Sequence, residues 1–224
     1  MSRTCRGTIS FVVILLFAPL IHGQDLSKYR NFSFGMNVAS VIKQVGLNAS
    51  EVQLVHQRPD RIEELTWYPP QPFEASRPAE PVEKIQFSFD NGALYRMLIT
   101  YDSSAIKGLT DEDMIRVVSE KYGMATRPVA NVSFPTNPAY GATEKVIARW
   151  ENGQYSVNLF RSSMMDTFAI VMFEKRLDAQ AGVSIAESVK LEQQEAPQRE
   201  AARVKKEADD LAGERQKNIE VLRP

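Results

Sequence analysis

Cysteine and histidine are almost missing from this chain of 224 residues, which contains one cysteine and two histidines. The single cysteine, Cys5, lies before the first hydrophobic stretch, where the lipidated cysteine of a bacterial lipoprotein does not occur. A disulfide within the chain needs two cysteines, so we expect the fold to be held by its hydrophobic core. The scarcity of both residue types also excludes a Cys–His catalytic pair and a metal site built from several histidines.

A strong charge of either sign is also absent. The chain has 27 Lys and Arg residues against 28 Asp and Glu residues, a formal net charge of -1. A protein that follows a phosphate backbone needs a basic surface, and no run of Lys or Arg beside aromatic residues is present. We therefore expect no nucleic-acid partner. The hydrophobic content of 43% is sufficient for one or two globular domains.

The sequence motifs of the common catalytic and nucleotide-binding sites are missing as well. Neither G-x-x-x-x-G-K-[ST] nor G-x-G-x-x-G occurs, so no cofactor is expected. Without a G-x-S-x-G turn, His56 in VQLVHQ is interpreted as a strand or surface residue rather than a catalytic base. The sequence selects no catalytic, cofactor-binding or metal-binding residue. A hydrolase that uses carboxylates or serines in a cleft between two halves of the chain is the alternative function.

The first 23 residues are organised like a secretory signal peptide. Arg3 and Arg6 precede an apolar stretch at residues 9–21, and Gly23 is followed by polar residues. The stretch is shorter than the roughly 20 residues that a membrane-spanning helix needs. We therefore expect cleavage after residue 23, no stable membrane span in the mature chain, and a periplasmic or secreted location.

Two stretches of ten residues resemble each other, EKIQFSFDNG at 83–92 and EKVIARWENG at 144–153. Each follows a predicted helix, at 35–46 and at 108–123. Asn37 and Thr110 are the predicted N-caps of these helices, because their side-chain oxygens can accept from the free N–H groups of the first turn.

Further residues define the ends of the two helices. Asp113 completes a capping box with Thr110. Each helix is predicted to end at a glycine suited to a left-handed cap, Gly46 in the first and Gly123 in the second.

Alternating apolar residues predict a β-hairpin within each repeat. The first hairpin is predicted to turn over three residues, 90–92, with Phe87 opposite Tyr95. The second is predicted to have a two-residue Asn-Gly turn that places Trp150 opposite Tyr155.

Three further strands are predicted. Residues 167–176 are apolar on both faces at their centre and are expected to lie inside the sheet. Shorter strands are expected near Trp67 and near Phe134.

Two segments differ in composition from the rest of the chain. The proline-rich residues 69–81 are interpreted as an extended surface insertion, with a polyproline ligand as the alternative. Residues 187–224 are rich in charge, and we predict a solvated, partly frayed helix that breaks near Pro197.

The alternative for this C-terminal helix is binding to a partner or self-association as a coiled coil. The stripe available for such contact is thin, consisting of Val204, Ala208, Leu211 and Leu222. Arg215 and Asn218 fall where the seam of a coiled coil needs apolar side chains.

Together these patterns predict an α+β fold with two layers. The expected units are a first helix-plus-meander repeat at 24–106, a second at 107–178, and a charged helical or partly disordered tail at 179–224.

The repeated unit resembles a known family. A glycine, an apolar residue and an N-cap residue open a helix that ends at glycine and precedes an antiparallel meander, as in the SmpA/OmlA (BamE) outer-membrane lipoproteins. Two such units in tandem resemble the β-lactamase-inhibitor-protein fold. The resemblance implies a role in protein binding or envelope scaffolding and implies no catalytic residues.

We therefore predict a noncatalytic module that binds a protein or a cell-envelope component through an exposed sheet face. The candidate binding residues are the aromatic side chains Tyr95, Tyr101, Trp150 and Tyr155. The alternative interpretation places these side chains in the core between the sheet and the helices.

Overall fold

A computed structural model describes residues 25–71, 80–134, 136 and 143–223. The predicted signal peptide, Cys5 and much of the proline-rich insertion lie outside these residues. The structure is α+β, with three helices and a large antiparallel sheet. The helices are α1 (Val38–Val45), α2 (Asp111–Tyr122) and α3 (Lys175–Val221). The strands are β1 (Lys28–Tyr29), β2 (Phe32–Ser33), β3 (Gln53–His56), β4 (Ile62–Trp67), β5 (Val82–Asp90), β6 (Ala93–Tyr101), β7 (Asn131–Ser133), β8 (Thr143–Glu151), β9 (Tyr155–Arg161) and β10 (Phe168–Glu174).

Eight strands form one antiparallel sheet in the order β3-β4-β5-β6-β10-β9-β8-β7. β1 and β2 form a separate small hairpin. The predicted strands near Trp67 and Phe134 correspond to β4 and β7, and β10 lies inside the sheet between β6 and β9, as its apolar sequence predicts.

The main hydrophobic core lies between the sheet and the first two helices. It combines Val41 of α1 and Met114 of α2 with sheet residues such as Phe87, Ile99 and Leu159. Because these side chains belong to one contiguous cluster, both parts of the chain share a single core.

The capping predictions for α1 and α2 are confirmed, with one difference at Gly123. Asn37 Oδ1 accepts from the Ser40 N–H at 2.8 Å, and Thr110 forms the capping box with Asp113. Gly46 takes the left-handed conformation at φ 71°. Gly123 also has a positive φ of 75°, but its ψ of -147° is extended, so α2 ends without a left-handed cap.

The predicted register of the first hairpin is wrong by two residues. Phe87 pairs with Met97, not Tyr95, and the turn contains two residues, Asn91 and Gly92. Both turn residues have positive φ, 48° and 81°, as the tight turn of a two-residue hairpin requires. The extra residue is Tyr95, which forms a bulge between the Phe89–Leu94 and Ser88–Arg96 pairs. The turn itself is therefore not lengthened.

The second hairpin is displaced by the same amount. Trp150 pairs with Val157, not Tyr155, and β8 ends at Glu151, so residues 152–154 connect it to β9. Asn152 begins this connection, and its Oδ1 accepts from the N–H groups of Gln154 and Tyr155 at 2.8 Å each. A two-residue shift leaves every side chain on its expected face.

The predicted two-layer arrangement is incomplete, because α3 packs on the second face of the sheet. The strand predicted to end at Arg176 ends at Glu174, whose carboxylate accepts from the first N–H groups of α3. The predicted break near Pro197 is also wrong, since α3 continues through it. Proline removes one backbone donor, and the Glu195–Arg199 ion pair at 2.6 Å bridges that position.

Candidate interaction surface

The four candidate aromatic residues do not form one exposed patch, so this prediction is corrected. Trp150 and Tyr95 are buried, 2% and 3% exposed, and they belong to different clusters on opposite faces of the sheet. Tyr101 and Tyr155 are half-buried and pack against the main core. These positions fit the alternative interpretation, in which the aromatic side chains fill the space between sheet and helices.

Trp150 and Tyr155 each make a specific contact within the core. The Trp150 indole N–H donates to the Gly123 carbonyl at 2.8 Å, which ties β8 to the end of α2. The Tyr155 ring stacks on Phe34, with ring centroids 5.6 Å apart. Both side chains therefore stabilise the core, and an exposed binding surface must consist of other residues.

An apolar cluster attaches the first part of α3 to the sheet. Ala181 and Ile185 of α3 are buried against Ile62 of β4 and Tyr95 of β6. Burial raises the pKa of the Tyr95 hydroxyl. This cluster is small, and polar contacts add to the attachment of α3 to the sheet.

The strongest of these polar contacts joins β6 to the first turn of α3. The Arg96 guanidinium donates two hydrogen bonds to the Asp178 carboxylate, at 2.7 and 2.9 Å, and a third to the Ser133 carbonyl at 2.6 Å. The guanidinium also lies 5.4 Å from the centroid of the Phe173 ring. A bidentate pair of this kind fixes both position and orientation.

Further along, α3 is attached to the β3–β4 connection. Ser188 Oγ donates to the Arg58 carbonyl at 2.5 Å, and the Arg58 side chain donates to both Glu195 oxygens at 3.0 and 2.9 Å. His56 Nδ1 lies 3.0 Å from Glu192 Oε1. His56 is the last residue of β3, which agrees with its interpretation as a strand or surface residue, and its ring contacts α3.

A pair of carboxylates lies beneath the same part of α3. Asp60 accepts from Ser184 and from Asn91, and these two hydrogen bonds lower the pKa of Asp60. Asp90 is 5% exposed, and its Oδ1 has no hydrogen-bond partner among the described residues. Burial, together with the charge of Asp60, raises the pKa of Asp90.

Another buried carboxylate, Glu64 of β4, lies on the second sheet face. It accepts from Thr136 and from Gln86, and burial raises its pKa. The cavity beside it has a volume of about 10 Å³, the space of a single water molecule.

Beyond Arg199, α3 leaves the body of the protein. We call residues 200–221 the distal segment, and every residue in it is exposed. At about 1.5 Å per residue, the segment is roughly 33 Å long. Arg203 forms ion pairs with Glu200 and Glu207 along the helix, and such i,i+3 and i,i+4 pairs each stabilise a helix slightly.

An apolar stripe runs along the distal segment. Val204, Leu211 and Ile219 are 53%, 67% and 47% exposed, and a shallow groove is lined by Leu211, Ile219 and their neighbours. Val204 and Leu211 belong to the stripe predicted from the sequence, whereas Ile219 and the attachment of α3 to the sheet were not predicted. The signal for the attachment was available, because Ala181, Ser184, Ile185 and Ser188 recur at helical spacing.

Neither a metal site nor a membrane span was found in the part of the chain that the structure describes. No group of three His, Cys, Asp or Glu side chains there is arranged to hold a metal ion. No described helix has both the length and the apolar character that crossing a membrane requires.

Comparison with known proteins gives no relative. No protein-family model, no curated protein and no solved structure matches this chain.

Proposed function

We propose that the protein is a noncatalytic module that binds another protein or a component of the cell envelope, and that the distal segment of α3 makes this contact. The observation that carries the proposal is the exposed stripe of Val204, Leu211 and Ile219. Apolar side chains on one face of a helix are buried when the helix enters a groove on a partner or pairs with a second helix. We favour a partner protein, with a second copy of this chain as the alternative.

The attachment of α3 suits this role. The Arg96–Asp178 and Arg58–Glu195 contacts hold the proximal part of the helix against the sheet, so the distal segment extends from a fixed base. A helix that is already ordered loses less conformational entropy on binding than a disordered peptide does. The sheet and its core would then serve as the support for the binding helix.

We also propose that the body consists of two related repeats, at 24–106 and 107–178, with the tail starting at 179. The strand order supports this proposal. Four sheet strands follow α1 and four follow α2, and the last strands of the two sets, β6 and β10, pair at the centre. The resemblance to the SmpA/OmlA (BamE) lipoproteins and to the β-lactamase-inhibitor-protein fold is proposed on the same grounds.

The proposed location is periplasmic or secreted, with residues 1–23 as a cleaved signal peptide. The basic residues Arg3 and Arg6, followed by the apolar residues 9–21, support this proposal. Sequencing of the mature N-terminus is expected to begin at Gln24. An intact Met1 on protein recovered from the producing cell would contradict cleavage.

The binding role can be tested by combining Leu211→Glu with Ile219→Glu in the full mature chain. Both side chains are exposed, so the double variant should fold normally while placing two carboxylates on the apolar stripe. We expect a specific partner captured from an envelope extract to be lost from the double variant. The matched control is Val183→Glu, which adds a carboxylate at an exposed position in the proximal part of α3.

Sedimentation equilibrium of the purified protein separates the two kinds of partner. A monomer that captures a partner through the stripe supports the favoured proposal. A dimer that dissociates in the double variant, and not in the Val183→Glu control, supports self-association. Capture and oligomeric state that are both unchanged in the double variant would contradict a binding role for the distal segment.

A further inference from the structure

A second exposed feature lies on the opposite edge of the sheet, beside the start of α2. β7 pairs with β8 from Asn131 to Ser133, the Val146 N–H donates to the Ala130 carbonyl at 2.9 Å, and a single bridge joins Thr126 to Arg149 further along β8. Between Ala130 and Thr126, the segment at 127–129 leaves the edge of β8 open. The cavity at this position has a volume of about 470 Å³, which is within the range of small-molecule sites.

Positive charge predominates in the lining of this cavity. Three cationic side chains, Arg127, Lys145 and Arg161, face one carboxylate, Asp111. Arg161 lies 3.6 Å from Asp111 and 3.7 Å from Asp166, which are separations longer than a hydrogen bond.

The remaining cations are at most weakly neutralised. Arg127 pairs with Glu112 at 3.2 Å, but both side chains are more than half exposed, and such surface pairs contribute little. Lys145 makes no ion pair with any residue that the structure describes.

Apolar groups line another part of the same cavity. Val129 is fully exposed, and Ile147 is half-buried. The Arg161 guanidinium lies 4.0 Å from the centroid of the buried Phe168 ring, a contact that holds the guanidinium in place. The cavity therefore combines a positioned cation, two further cations and an exposed apolar contact.

We propose that this cavity binds a small amphipathic anion, a single phosphate or carboxylate group that carries a short apolar chain. The anionic group would be held by Lys145, Arg127 and Arg161, because charge-assisted hydrogen bonds to such groups are strong. The apolar chain would cover Val129 and Ile147, removing their surface from water. This inference concerns a site remote in sequence from the distal segment of α3 and does not depend on the proposed function.

The test is isothermal titration calorimetry of the full mature protein with hexyl phosphate. Inorganic phosphate tests the charged group alone, while hexanol and hexyltrimethylammonium test the apolar chain without an anion. We expect saturable binding of hexyl phosphate, weaker binding of inorganic phosphate, and no binding of the other two probes. Raising the salt concentration should weaken binding, because the cations are partly exposed.

Two exposed positions provide variants that should fold normally. Lys145→Gln is expected to reduce the affinity for hexyl phosphate about tenfold, the usual effect of losing one charged hydrogen bond. Val129→Gln should weaken binding because it removes an apolar contact, and Val129→Glu should weaken it further because it also adds a negative charge at the cavity. Val183→Glu is the control for the added charge, and Lys205→Gln is the control for the lost charge; both lie on α3.

The proposal is overturned by any of three results. The first is no detectable binding of hexyl phosphate, and the second is binding of hexanol as tight as that of hexyl phosphate. The third is a loss of affinity in the two control variants as large as that in the cavity variants. Circular dichroism of each variant confirms that the fold is retained. A larger loss of affinity in Val129→Glu than in Val129→Gln, with unchanged affinity in Val183→Glu, would place the anion at this cavity.

Discussion

Arg96 and Asp178 join the centre of the sheet to the first turn of α3 through two hydrogen bonds, and both side chains are about 15% exposed. They are separated by 82 positions in the sequence. Their contact determines where α3 begins to follow the sheet, and hence where the distal segment projects.

We expect Asp178→Asn to lower the free energy of unfolding by about 2 kcal/mol, because a hydrogen bond to a charged group is lost and the Arg96 charge is left without its partner. Urea denaturation at neutral pH measures this change. Asp209→Asn, on the exposed distal segment, is the control and should leave stability nearly unchanged. Equal stability of Asp178→Asn and the original protein would show that the pair does not hold the helix.

The contact between Trp150 and Gly123 gives a second prediction. Trp150→Phe keeps an aromatic ring in the core but removes the N–H group that donates to the Gly123 carbonyl at the end of α2. We expect a loss of about 1 to 2 kcal/mol, from the hydrogen bond and the smaller ring. Trp67→Phe is the comparison, since Trp67 is half-buried and meets the Phe32 ring edge-on. A loss no larger in Trp150→Phe than in Trp67→Phe would argue against a structural role for the indole hydrogen bond.

The two Asn-Gly dipeptides are predicted to respond differently to the same substitution. Gly92→Ala places a side chain at a φ of 81° and should cost about 1 kcal/mol. Gly153→Ala meets no atom within 4 Å, and Gly153 does not have the positive φ of Gly92, so its effect should be small. Thermal unfolding of both variants is the measurement, and equal losses would contradict the assignment of different turns.

The carboxylate pair under α3 predicts a dependence of stability on pH. The pKa of Asp90 is higher in the folded protein than in the unfolded chain, where it is near 3.8. Ionisation of Asp90 therefore destabilises the fold once the pH rises above the pKa of the unfolded chain. Asp90→Asn should therefore stabilise the protein at neutral pH, by on the order of 1 kcal/mol, and have little effect in acid.

Asp60 is the matched residue with the opposite sign. Hydrogen bonds from Ser184 and Asn91 lower the pKa of Asp60 in the folded protein. Asp60 therefore stabilises the fold at pH values above its pKa in the unfolded chain, and this stabilisation is lost as the pH falls through its pKa in the folded protein. Asp60→Asn should consequently destabilise the protein most at neutral pH. Urea denaturation of both variants between pH 3 and 7 measures the two effects, and curves that shift in the same direction would disprove the assignment.

Local sequence chemistry was sufficient to place the first two helices and most strands. Asn37 and Thr110 form caps with atoms only three positions away, so short-range patterns identify them. The alternation along β5 and β6 likewise determines which side chains face the core. These features depend on neighbours in the chain, which the sequence displays directly.

Hairpin register could not be read in the same way. The face pattern is the same when the pairing shifts by two residues, so it does not distinguish Tyr155 from Val157 as the partner of Trp150. The choice depends on the Asn152 side chain, which accepts from two N–H groups of the turn. Only the folded backbone brings those two N–H groups within reach of the Asn152 side chain.

The sequence by itself determined the capped helices, the apolar strands, the scarcity of cysteine and the thin stripe on the C-terminal helix. The tertiary structure decided that α3 packs against part of the second sheet face, that Trp150 and Tyr95 are buried on opposite sides, and that α3 passes through Pro197. The physical reason is distance along the chain. A cap or an amphipathic stripe is a property of neighbouring residues, whereas the attachment of α3 depends on pairs such as Arg96 with Asp178, which meet only when the whole sheet has formed.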